Sequence, residues 1–264
     1  MIVWTIANQK GGVGKTTTVA TLAGHLSRQG KRVLLIDTDP HASLTSYLDY
    51  DSDLLEGTLF DLFESVSPSR LQVQRVTLKT SCENINLIPA SIALSTLDRT
   101  LGGREGMGLV LRDALNSVSA HYDVALIDCP PVLGVMMVNA LAASHRILVP
   151  VQTEFLALKG LERMIKTFEI MQGSSQQPFR YTIVPTMFDK RTKASLQTLD
   201  EIKALYGDKV WDSVIPIDTK FRDASHLHIP PSLFAPDCRG CYAYRELLGY
   251  LLALDSNNDG EAQS

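Results

Sequence analysis

This 264-residue chain concentrates its chemistry in one glycine-rich run, Lys10-Gly11-Gly12-Val13-Gly14-Lys15-Thr16-Thr17. Glycines let backbone N–H groups turn inward around an anion. A helix starting there adds the positive end of its dipole. Lys15 is spaced to reach the outer groups of a phosphate chain. Thr16 is spaced to offer a hydroxyl to a divalent cation, and Thr17 to donate to the innermost phosphate. A run of this type arises by chance in roughly one such chain in a million, which argues against a ligand-free turn. Carboxylates form the second group. Asp37-Thr38-Asp39-Pro40 closes one apolar run, and Asp128-Cys129-Pro130-Pro131 closes another. Aspartate at the C-terminal end of a parallel strand faces the ligand crevice. Asp37 is therefore a candidate for a cation-bound water and Asp128 for holding the cation beside Thr16. Asp39 precedes a proline, where an aspartate also starts turns with no chemistry attached. The cysteines, Cys82, Cys129, Cys238 and Cys241, are unevenly spaced. They make no disulfide framework, and a reducing compartment fits them best. A single Cys238-x-x-Cys241 without a second pair or nearby histidines is a poor zinc signature.

These residues need strands ending at one edge and helices beginning there. Short apolar runs alternate with segments of helical period, which predicts an α/β fold with a mostly parallel central sheet flanked by helices on both faces. Strands are expected at Val3–Ala7, Val33–Asp37, Asn86–Pro89, Val124–Asp128, Arg146–Pro150, Tyr181–Thr186 and Val210–Ile215. Helices are expected at Lys15–Gln29, Leu158–Gln172, Ala194–Leu205 and Tyr244–Leu254. Tyr47–Glu83 reads as a peripheral insertion. One domain is expected over residues 1–254, followed by a disordered acidic tail, Asp255–Ser264.

Composition bounds the partners. Lys and Arg number 25 against 29 Asp and Glu, a net charge of −4, and 45% of residues are apolar. This excludes a globally basic nucleic-acid coat but leaves room for a local basic patch. The apolar N-terminus has no basic flank or cleavage site, and no run reaches the ~18 residues that spanning requires. A soluble, cytoplasmic protein is expected.

One departure from the common pattern G-x-x-x-x-G-K-[ST] is informative: Gln9 stands where that pattern has glycine, and an extra lysine, Lys10, precedes the glycine pair. In this the run resembles the deviant Walker A of the ParA/MinD family of P-loop ATPases. The resemblance implies a single-domain P-loop NTPase that uses ATP and Mg²⁺. ATP would be held by Lys10, Gly11, Gly12, Val13, Gly14, Lys15, Thr16 and Thr17, and Mg²⁺ by Thr16, Asp37 and Asp128. Asp39, in the family pattern D-x-D-P, would orient the attacking water. Val184–Thr192 and Ile215-Pro216 resemble the family's adenine-side segments, which implicates Thr186, Met187 and Pro216. Lys10 of each subunit would cross to the partner's phosphates in an ATP-bound homodimer, offsetting charge as an arginine finger does. The family's glutamine after D-x-D-P is replaced by His41, which leaves that role open. Cys129 adjoins Asp128 and is not placed to hold an iron–sulfur cluster as in the nitrogenase relatives.

Asp37–Ser43 and Phe221–Ser225 resemble most closely the ParC branch, encoded with chemotaxis genes. That likeness implies polar placement of chemotaxis arrays, slow ATP turnover stimulated by a ParP-like protein, a polar landmark protein as partner, and enrichment at the cell pole. Arg191, Lys220 and Arg222 are candidate contacts for nonspecific DNA, as in a chromosome or plasmid partitioning ATPase. MinD-type relatives end in a basic membrane helix, but here no Lys or Arg follows Arg245. Asp255, Asp259 and Glu261 would be repelled by anionic lipid, so no direct membrane anchoring is expected. With the loop starting at residue 10, no N-terminal helix-turn-helix domain is expected either. Beside the switch stand two other readings: an ATP-dependent ligase of cofactor biosynthesis, and a scaffold that senses ATP without hydrolysing it.

Overall fold

Runs of valine, leucine and isoleucine bounded by polar turns fold as strands buried on both faces, the pattern of a parallel sheet covered by helices. The computed structural model describes residues 1–101, 106–172 and 178–261. Its strands are β1 (Ile2–Ile6), β2 (Val33–Asp37), β3 (Leu78–Lys79), β4 (Ile85–Ile88), β5 (Val124–Asp128), β6 (Arg146–Gln152) and β7 (Tyr181–Thr186). They form one sheet in the order β3-β4-β2-β5-β1-β6-β7, parallel except for the β3–β4 edge pair. The α/β expectation is met.

From β1 the chain builds β2, β4 and β5 to one side and β6 and β7 to the other. The crevice at such a reversal, beyond the strands' C-terminal ends, is where open α/β sheets bind ligands. Register levels the ends that matter: Ile6 pairs with Asp128, and Asp128 with Asp37.

Alternation along each strand splits the core. Leu34, Ile36, Ala125, Ile127, Val149 and Val151 face one layer, packed by helices Val110–Val118, Val135–Ala143 and Phe155–Gln172. Trp4, Ile6, Val33, Leu35, Leu126 and Leu148 face the other, packed by helices Lys15–Arg28 and Arg239–Glu261.

Three expectations are corrected. Val210–Ile215 is not a regular strand. It holds to β7 through an isolated bridge, Val210 to Ile183, and through the Ile215 N–H donated to Pro185 O at 2.8 Å. The following Pro216 has no N–H for a ladder. Tyr47–Glu83 is not peripheral, because Leu59, Leu62, Phe63, Val73 and Val76 are buried in the first core layer. Nor does order end at residue 254, since the last helix runs Arg239–Glu261. Asp255 fixes it: its carboxylate accepts from Trp4 Nε1 at 2.7 Å and pairs with Arg146 at 2.7 Å. The remainder of the expected tail, 262–264, lies outside the described residues.

Candidate nucleotide-binding site

The loop from Asn8 to Gly14 joins β1 to the helix Lys15–Arg28 at the switch point. Gly12 and Gly14 have φ of 74° and 90°. An L side chain is strained there, so glycine is what lets the loop close in this form. Asn8 braces the turn by accepting the Lys10 N–H at 3.0 Å and donating to Pro150 O at 2.7 Å. Gly11, Gly12, Gly14, Lys15, Thr16 and Thr17 line a cavity of ≈380 Å³ together with Asp39, His41 and Asp128. Val13 is fully buried instead, and its carbonyl accepts from Thr186 Oγ1 at 2.9 Å.

The carboxylates divide their work. Asp37 is buried, with Oδ1 accepting from the Asp39 N–H at 3.1 Å and Oδ2 from the Thr45 N–H and hydroxyl, both at 2.8 Å. It does not line the cavity. These bonds fold the loop that presents Asp39. Asp128 Oδ2 accepts from Thr16 Oγ1 at 2.6 Å. Its other oxygen, Oδ1, is buried without any hydrogen-bond partner. Burial pushes the Asp128 carboxyl up to about 8, with Asp37 adding repulsion, and burial pushes Asp37 up to about 6. A lone buried carboxylate oxygen beside a threonine hydroxyl at the mouth of an amide-lined loop fits a hard divalent cation.

The two lysines diverge. Lys15 turns into the loop, its Nζ donating to Lys10 O at 3.3 Å. Lys10 leaves it: its Nζ donates to Gln152 Oε1 at 2.7 Å and Glu154 Oε1 at 2.5 Å. Gln152 also donates to Gly12 O at 3.1 Å and Met187 Sδ at 2.9 Å, which ties both sides of the cavity together. Sequence reasoning missed Gln152 and Glu154, although both directly follow or end β6, at the edge where β1 and β5 present their site residues. It also left His41 open. Here His41 bonds Asp39 Oδ1 through its backbone N–H at 3.0 Å and Nδ1 at 2.8 Å.

A second cavity of ≈400 Å³ adjoins the first, sharing Gly14, Thr17 and Met187, and is lined further by Thr186, Ile215, Pro216, Phe221 and Arg222. The expected adenine-side residues therefore converge. Arg222 belongs to this wall. Arg191 lines a neighbouring hollow with Lys190 and Arg239, and pairs with Asp189 at 2.7 Å. Lys220 is half-exposed and pairs with Asp223 at 3.0 Å.

Comparison with known proteins places this geometry. The family described as "AAA domain" matches residues 1–181. The chromosome partitioning protein ParA of Caulobacter vibrioides is 37% identical over 97% of this chain and 96% of its own. The sporulation initiation inhibitor protein Soj of Bacillus subtilis is 36% identical over 92% and 94%. A crystal structure described as cobyrinic acid a,c-diamide synthase from Mycobacterium smegmatis, with an ATP analog and magnesium bound, superposes with a TM-score of 0.81 at 33% identity, covering 96% of this chain and 94% of that one. With a nucleotide loop, paired carboxylates and near-full-length likeness in one chain, the protein belongs to the ParA family of P-loop ATPases.

Proposed function

We propose that this protein is an ATP-dependent dimerisation switch that positions intracellular cargo, with chemotaxis arrays at the cell pole as the cargo. The observation that carries the switch is the position of Lys10. Lys15 already fills the in-loop place, while Lys10 is held at the rim by Gln152 and Glu154 with its side chain 26% exposed. A rim cation is placed to serve a second nucleotide. Phe155 and Leu156, which follow its partner Glu154 in the chain, are 69% and 66% exposed. A second copy closing over the cavity would cover them.

The bound state follows from the residues. The Gly11–Gly14 amides and Lys15 bind the phosphates of ATP, Thr16 and Asp128 hold Mg²⁺, and the cavity between Met187 and Pro216 takes the base. When bound, Mg²⁺ offsets charge on the phosphate oxygens. Asp39 lines the phosphate cavity and is held in place by Asp37 and His41, so it can orient a water. With no glutamate or glutamine among the described residues that line the cavity beside it, intrinsic turnover is slow, and a ParP-like partner accelerates it. Hydrolysis separates the subunits. The protein then works in the cytoplasm, enriched at the pole beside a landmark protein. The chemotaxis assignment rests on Asp37–Ser43 and Phe221–Ser225.

A partitioning role is the second reading, favoured by the basic hollow of Lys190, Arg191 and Arg239. It predicts salt-dependent binding to any DNA sequence, weakened by Arg191→Ala. The mycobacterial neighbour supports a third reading, an amide ligase. The deciding experiment measures phosphate release and particle mass. The switch releases phosphate with ATP alone, slowly, and doubles in mass. A ligase releases phosphate only with a carboxylate and an amine donor present. A Lys15→Ala variant that binds and hydrolyses ATP like the parent refutes all three.

A further inference from the structure

The phosphate site does not account for Cys238-Arg239-Gly240-Cys241. Cys238 directly precedes the helix Arg239–Glu261 and accepts the Tyr242 N–H on its carbonyl at 2.9 Å. It is therefore the N-cap, and Cys241 ends the first turn. The Cys241 N–H donates to Cys238 Sγ at 3.3 Å. Both are free thiols, Cys241 buried and Cys238 partly exposed. No metal-binding group of three or more His, Cys, Asp or Glu exists among the described residues. This turn is also wired to the base cavity. Asp218 Oδ2 accepts the Gly240 N–H of this turn at 3.0 Å. Asp218 and Phe221 both line the base cavity. Gly240 lies so close to the Phe221 ring that a Cβ there would collide with it.

We propose that Cys238 and Cys241 are a redox-active dithiol whose oxidation to an intramolecular disulfide weakens nucleotide binding at the adjoining base cavity. The geometry serves exchange in three ways. One thiol is reachable from solvent, and the resolving thiol is buried on the residue whose N–H already contacts it. Residues one helical turn apart lie within the span of a disulfide. Charge developing on Cys238 Sγ as its proton leaves meets the Cys241 amide donor.

The oxidant is a small-molecule disulfide. The Cys238 thiolate attacks one of its sulfurs, forming a mixed disulfide and expelling one thiolate. The Cys241 thiolate then attacks Cys238 Sγ, forming the internal S–S bond and expelling the second thiolate. Two protein thiols are oxidised, one small disulfide is reduced to two thiols, and the two protons end on those thiols. Oxidation draws Cys238 toward Cys241 and shifts the turn whose Gly240 N–H holds Asp218. The cap of the helix that supports Phe221 is reshaped with it. The chemistry stands on its own, and its effect rests on the nucleotide reading of the cavity.

The test equilibrates the full chain across ratios of oxidised to reduced glutathione and reads mass, thiol content and ATP affinity. The oxidised protein should be lighter by two hydrogens, with Cys238 and Cys241 joined. Cys238→Ser, which keeps a good N-cap, should not form that bond. The oxidised form should bind ATP at least about fivefold more weakly, and saturating ATP should disfavour the disulfide by the same factor, because coupling is reciprocal. A glutathione adduct that persists on Cys238, an unchanged mass, or equal ATP affinity of the two forms overturns the proposal. If neither form binds ATP, the nucleotide reading fails and takes the proposed effect with it, while mass still decides the thiol chemistry.

Discussion

Replacing Asp128 with asparagine should stabilise the metal-free protein and abolish its response to magnesium. The reason lies in one buried pair. Asp37 and Asp128 are register partners at the ends of β2 and β5, and both are buried. Burial pushes the Asp128 carboxyl up to about 8, against about 4 in an unfolded chain. A raised folded value means stability that is full below about pH 4 and is lost as pH rises toward 8. At pH 7 the loss is on the order of 4 kcal/mol, three units at about 1.4 kcal/mol each. Asparagine keeps an acceptor for Thr16 Oγ1 but buries an amide without an assured partner, costing about 1–3 kcal/mol. The net gain is roughly 1–3 kcal/mol, or about 2–10 °C in Tm for a domain of this size. Ligand at a hundred times its dissociation constant adds about 3 kcal/mol to a binding-competent chain. Differential scanning fluorimetry across pH, with ATP plus either Mg²⁺ or a chelator, reads both effects. The variant should melt higher than the parent without metal, lose the parent's decline between about pH 6 and 8, and show the same Tm with Mg²⁺–ATP as with chelated ATP. A variant that melts lower without metal, or keeps the full Mg²⁺ shift, refutes the reasoning.

Asp255→Ala should cost roughly 2–4 kcal/mol by stranding Arg146, which is 5% exposed. Adding Arg146→Met should recover much of the loss in urea melts, and a neutral Asp255→Ala would mean the helix end is not docked. Thr186→Val should cost about 1–3 kcal/mol, because it leaves the Val13 carbonyl without its 2.9 Å donor. ATP affinity should fall with stability, and an unaffected melt would return Thr186 to a direct ligand role. His25 is buried beneath the C-terminal helix, bonded to Cys241 O at 2.9 Å, and burial holds its imidazole below the ordinary range. A lowered value means stability that is full above about pH 6.5 and is lost as pH falls. Because buried Asp128 and Asp37 contribute the opposite slope, the effect of His25 is read as a difference: between pH 7 and 5 the parent's urea midpoint should fall relative to that of His25→Gln.

Much of the site was legible because it is local. The run from Lys10 to Thr17 carries its own strand, turn and helix signals, and Val33–Asp37 and Val124–Asp128 matched their expected bounds. Contacts between distant segments were not legible. Gln152 and Glu154 engage Lys10 only because β6 pairs with β1. The bonds that Thr45, eight residues on, gives Asp37 Oδ2 were hidden in the same way. Helix Val135–Ala143 was missed because its sequence is apolar almost throughout, which hides the 3.6-residue period. The acidic end of the last helix looked unstructured because the partners of Asp255, Trp4 and Arg146, are far away in sequence.

The account turns on Lys10 acting on a second subunit's nucleotide, and particle mass tests this most directly. Light scattering on Asp39→Ala with Mg²⁺–ATP should give twice the 29.0 kDa chain mass, and the monomer mass with ADP. Adding Lys10→Ala should return it to monomer while ATP still binds. A particle that doubles without Lys10, or one that never doubles although Asp39→Ala holds ATP, contradicts the account.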